Sequence, residues 1–163
     1  INPYHITESS KFDGNSIAIH IRMGDFAVPD NEDALRNGYW NYRLPIKWYI
    51  SIIQKISKHS NLPIYIFSDA DKKELKEILQ LKNCKLAFFG SAISDMLALS
   101  NAKVLVSSAS TFSMWASFLG QSPTIWFPGQ MRQKLISKED IFEGELDYND
   151  NLPESLVKIL SND

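Results

Sequence analysis

Cysteine is nearly absent: Cys84 stands alone in 163 residues, which excludes a disulfide framework and a cysteine metal cluster. Histidine is scarce too. His5, His20 and His59 lie too far apart to spell a zinc motif, so no metal site is expected. The seven glycines are scattered and form neither GxGxxG nor GxxxxGKS/T, which removes the dinucleotide fingerprint and the P-loop. No apolar run approaches the ~20 residues of a membrane span, and no signal peptide is visible. Neither sign of charge dominates: a net charge of -2 argues against a broad nucleic-acid surface, and no nucleic-acid partner is expected. The sequence opens on Ile1 and closes on the polar "SND", as a fragment or a processed chain would.

What is present is a globular composition, 44% hydrophobic and 22% charged, at the size of one domain spanning residues 1–163. Apolar strands alternate with helical patterns. "IAIHI" is followed by a long polar loop, and "PIKWYISIIQKISKHS" then reads as a helix with Pro45 in its first turn. In that helix Ile46, Tyr49, Ile50, Ile53 and Ile56 form one stripe. "LPIYIFS" predicts a second strand, and "DADKKELKEILQL" an amphipathic helix capped by Ser68 or Asp69. "CKLAFFG", "KVLVSS" and "SPTIWFP" complete about five strands, with helices over "SAISDMLALSNA", "STFSMWASFLG" and "PESLVKIL". Residues 129–150 fit no pattern. Such alternation predicts a doubly wound parallel α/β sheet, Rossmann-like, in three α/β/α layers.

In a sheet of that kind ligands bind beyond the carboxyl ends of the strands. Arg22, Gly24 and Asp25 follow the first strand, Ser68 and Asp69 the second, and Ser107, Ser108, Ser110 and Thr111 the fourth. The unusual polar residues therefore converge on one edge. A helix beginning near Ser110 offers unpaired N–H groups and a partial positive charge, and the hydroxyls of Ser110, Thr111 and Ser113 suit a phosphate; plain N-capping by serine is the simpler account. Arg22 adds a guanidinium able to pair with the same phosphates. His20 is either a satisfied core histidine or part of that site. Asp95, in the first turn of its helix, complements the dipole whatever else it does. "DAD", residues 69–71, matches the metal-binding DxD of some glycosyltransferases, but it falls where a helix cap is expected.

"HIRMGDF", residues 20–26, resembles the HxRRGD(Y/F) motif of the α1,2-, α1,6- and protein O-fucosyltransferase superfamily. "SDMLALSNAKVLVSSASTFSMWASFLG", residues 94–120, is similar to its later block and fits best the α1,2-fucosyltransferases of glycosyltransferase family 11. "IYIFSDA" resembles the intervening (F/V)SDD strand end. The three blocks occur in family order over most of residues 17–127.

The resemblance implies the donor-binding half of a two-domain GT-B enzyme, transferring L-fucose from GDP-fucose to a sugar hydroxyl with inversion and without a metal or cofactor. It places Arg22 on the donor's β-phosphate, His20 against the nucleotide, and Asp95 near the base or ribose. Ser110, Thr111, Phe112 and Ser113 meet the phosphates. The second arginine of the motif is Met23 here, which removes one positive charge. Only 16 residues precede Ile17, so an N-terminal acceptor domain is expected to be missing. Arg22 and Asp25 are the expected catalytic pair, with Glu32 and Asp33 as other candidates for the base. Tyr39, Trp40 and Tyr42 either stack on sugars or pack against the missing half. The expected partners are a nucleotide-sugar donor and a glycan acceptor, in a cytoplasmic protein, at most peripheral to the inner face of the membrane, serving polysaccharide or lipopolysaccharide synthesis. A non-catalytic nucleotide- or sugar-binding module is the rival expectation, and a GT-B domain using another nucleotide sugar is a third.

Overall fold

The computed structural model describes residues 14–162, so His5 lies outside the described residues. Six parallel strands form one sheet in the order β3-β2-β1-β4-β5-β6. They are β1 (Ile17–Ile21), β2 (Ile64–Ser68), β3 (Cys84–Leu86), β4 (Val104–Val106), β5 (Thr124–Trp126) and β6 (Glu143–Glu145). The helices are α1 (Glu32–Arg36), α2 (Ile46–Ile56), α3 (Lys76–Leu79), α4 (Ala92–Ser100), α5 (Thr111–Gly120) and α6 (Glu154–Ser161). The expected Rossmann-like α/β sheet is therefore present, with one strand more than the sequence announced.

The period-two pattern of β1 divides the core. Ile17, Ile19 and Ile21 face a cluster with Trp48, Ile52, Ile53, Leu156 and Leu160 from α2 and α6. Ala18 faces the other side, with Ala98 and Leu99 of α4 and Ala116 of α5. Helices on both faces explain why all five residues of β1 are buried.

Three local expectations need correction. In α2 the buried residues are Trp48, Tyr49, Ile52, Ile53 and Ile56, whereas Ile46 and Ile50 are only partly covered. The stripe is turned toward Trp48 because its indole N–H donates to the Leu146 carbonyl at 2.9 Å and its ring meets Phe127 edge-on. The helix expected from Ser68 or Asp69 is α-helical only over α3, whose N-cap, Leu75, makes no side-chain bond. Asp71 and Glu74 start that turn instead: the Asp71 carboxylate accepts from Lys73 N–H and the Glu74 carboxylate from Asp71 N–H. Asp69 is thereby left for other work. The third correction is β6, whose sequence "EGE" contradicts strand propensity. Its glutamates are held from outside the ladder: Glu143 accepts from Leu135 and Ile136 N–H, and Glu145 from Met131 N–H. Charged residues on an edge strand also discourage pairing with other chains.

Strand order reverses between β1 and β4, since β2 and β3 extend to one side of β1 and β4 to β6 to the other. A crevice at the carboxyl ends of β1 and β4 follows from that reversal.

Candidate active site

A cavity of about 530 Å³ opens at this switch point. His20 and Arg22 line it from the end of β1, Ser68 and Asp69 from the end of β2, and Ser110, Thr111 and Phe112 from the start of α5. Asp95 and Ala92 enter from α4, and Phe26, Trp40, Asn41 and Phe88 form aromatic and polar parts of the wall.

Arg22 is gripped by two carboxylates. One Nη lies 2.7 Å from Asp25 Oδ1 and the other 2.8 Å from Asp69 Oδ2, with the Phe26 ring beneath the guanidinium. Asp69 also accepts from Met23 N–H at 2.8 Å, so this carboxylate fastens the chain leaving β1 to the end of β2. The same seam is sewn by the Ser68 hydroxyl, which donates to the Ile21 carbonyl at 2.7 Å. Gly24 is explained by the same contact: a Cβ there would lie well inside van der Waals contact distance of Asp69 Oδ2. The glycine serves close approach, not an unusual φ.

His20 is almost wholly buried and forms part of the cavity floor. Its Nδ1 is 2.6 Å from Ser113 Oγ and 2.8 Å from Ser108 Oγ, and its ring leans on Phe112. Ser108 N–H donates to Ser113 Oγ, and the Ser108 hydroxyl donates to Ser110 Oγ at 3.1 Å. Burial pushes the imidazole pKa down to about 4; Asp69 opposes this shift and Arg22 adds to it. The ring is thus neutral near pH 7. Ser110 occupies the N-cap position of α5 but makes no capping bond, its oxygen belonging to this hydroxyl network instead. Ser113 is fully buried and meets His20, not the cavity.

Asp95 is half-buried, and its Oδ1 accepts from Phe89 N–H at 2.7 Å. Burial raises its pKa, with that N–H opposing. Glu32 and Asp33 do not line the cavity; Glu32 pairs with Lys47 and accepts from the Tyr148 hydroxyl. The loop of residues 27–43 is closed at its ends by Ala27 N–H to Asn41 O and Arg43 N–H to Ala27 O. It brings Trp40 into the wall, with Arg132 stacked 4.1 Å above the indole centroid. Tyr39 points to solvent and Tyr42 packs on the core.

His20, Arg22, Asp95, Ser110, Thr111 and Phe112 thus share one cavity, Asp25 stands on Arg22, and Ser113 lies behind His20. Sequence reasoning missed Phe26 and Phe88 as wall residues, and it put Asp69 on the ligand edge but read it as a helix cap. For Asp69 the signal was its place at the end of the second strand, on the edge where the other polar residues gather. Phe88, 73% exposed, left no pattern.

Fold and cavity define a doubly wound α/β domain with an arginine and a helix start facing one another at the switch point. More narrowly, the chain belongs to glycosyl transferase family 11, whose family profile matches residues 7–149. It is 30% identical over 158 residues to an alpha-1,2-colitosyltransferase of Escherichia coli, an alignment covering 89% of this chain and 48% of that protein. The chain therefore spans about half the length of the curated relative it matches. No solved structure matches it. Among the described residues, no helix is long and apolar enough to cross a membrane.

Proposed function

We propose that this chain is the donor-binding part of an inverting glycosyltransferase that moves L-fucose, or a closely related deoxy sugar, from its GDP-linked form to a sugar hydroxyl. The carrying observation is that Arg22 and the start of α5 line one cavity at the β1/β4 switch point. Family membership supports a glycosyltransferase, and the name of the relative sets colitose beside fucose as a donor sugar.

As the glycosidic bond breaks, negative charge builds on the β-phosphate. Arg22 and the N–H groups opening α5 stabilise it in place of a metal ion. Neutral His20, fixed by Ser108 and Ser113, forms the floor against the nucleotide, and Thr111 and Ser110 add hydroxyls to the phosphates. Asp95 takes the base or ribose. Asp25, next to Arg22, takes the proton of the acceptor hydroxyl. A separate acceptor-binding region and a cytoplasmic setting, as in polysaccharide assembly, belong to the same proposal.

Calorimetric titration with GDP, GDP-fucose, GDP-colitose and ADP, under chelator, tests this. GDP binding that Arg22→Ala abolishes is the expected result, with transfer by the full-length protein falling by about 10²–10³. Absence of GDP binding refutes the donor-site reading. GDP binding by this chain, with no transfer to any acceptor by the full-length protein, assigns the chain to the binding-module class.

A further inference from the structure

Around the Arg22 guanidinium stand two carboxylates, so its immediate surroundings carry one net negative charge. A diphosphate brought to that guanidinium meets repulsion unless one carboxylate leaves. The two are held very differently. Asp25 is 75% exposed, sits three residues on from Arg22, and among the described residues its carboxylate bonds to Arg22 alone. Asp69 is 29% exposed, accepts a second hydrogen bond from Met23 N–H, and is packed against Gly24. An exposed ion pair such as Arg22–Asp25 weighs an equilibrium by only about 1.5- to 5-fold, within reach of a multiply charged phosphate pairing bidentately with arginine.

Resting on the donor-site reading, we propose that Asp25 is a counter-ion which the donor's diphosphate displaces from Arg22, while Asp69 stays and aims the guanidinium. Binding of donor then frees Asp25 beside the reacting sugar. Occupation of the phosphate site and release of the carboxylate become one event. Asp69 is a positioning residue in this scheme: it acts through Arg22 and touches no ligand.

Two isosteric variants separate these roles. Asp25→Asn removes the competing charge and is expected to bind GDP and inorganic pyrophosphate about 1.5- to 5-fold more tightly, with a steeper dependence on salt. Asp69→Asn keeps an acceptor for Met23 N–H but loses its hold on Arg22, and is expected to bind more weakly although it too removes a negative charge. Bare electrostatics predicts tightening in both, so the opposite signs are diagnostic. Tightening in both variants, or no tightening in Asp25→Asn where wild type binds, overturns the exchange and leaves the donor site standing. Failure of wild type and both variants to bind either ligand overturns the donor site itself.

Discussion

Gly24→Ala probes the seam between β1 and β2 without touching a charge. A methyl at Gly24 collides with Asp69 Oδ2, whose carboxylate must swing away. That motion breaks the bond from Met23 N–H and the pairing with Arg22. A hydrogen bond to a charged group contributes about 1.5–3 kcal/mol, and a partly exposed ion pair about 0.2–1 kcal/mol. Alanine recovers about 0.4–1 kcal/mol by restricting the unfolded chain. The net expectation is a loss of about 1–3 kcal/mol, read as a shift of the urea midpoint at constant slope. The decisive control is the same substitution in an Asp69→Ala background, where nothing remains to collide with the methyl. There Gly24→Ala should be neutral or mildly stabilising, giving a coupling of about 1–3 kcal/mol. An equal loss in both backgrounds would refute the claim that Asp69 dictates the glycine.

His20 makes stability depend on pH. Its folded pKa, about 4, lies below its ordinary 6.5, so the stabilising contribution is complete above pH 6.5 and is lost as pH falls toward 4. The loss amounts to about 3 kcal/mol, and the difference between wild-type and His20→Gln denaturation curves measured from pH 7 to 4 isolates it from the carboxylates. Gly120→Ala sets helix propensity against packing. Propensity favours alanine by about 0.5–1 kcal/mol, but the added Cβ meets the backbone of Ser100 in α4, which cannot retreat as a side chain does. A net destabilisation of about 1–3 kcal/mol in thermal or urea unfolding is expected.

Much of the architecture could be read from one residue to the next. Alternation of Ile17, Ile19 and Ile21 with Ala18 and His20 marked a strand covered on both sides, and the core clusters on its two faces bear this out. The polar ends of β1, β2 and β4 marked the edge on which the cavity lies. β6 was unreadable because "EGE" is a strand only through its pairing with β5, with its glutamates held by the N–H groups of Met131, Leu135 and Ile136. The cap placed at Ser68 or Asp69 failed for a related reason: a carboxylate at a strand end bonds to whatever N–H is nearest in space, and here that was Met23 in the neighbouring chain segment.

The sequence settled what depends on the fixed direction of successive side chains: strand, helix, buried face, and the strand ends where Arg22 and Ser110 would stand. Strand order and register settled the rest. Because Ile21 pairs with Ser68, Asp69 reaches Arg22 across 47 residues of chain; because β4 lies against β1, Ser108 and Ser113 reach His20. Those distances are properties of the assembled sheet, in which residues remote along the chain become neighbours, and no local period encodes them.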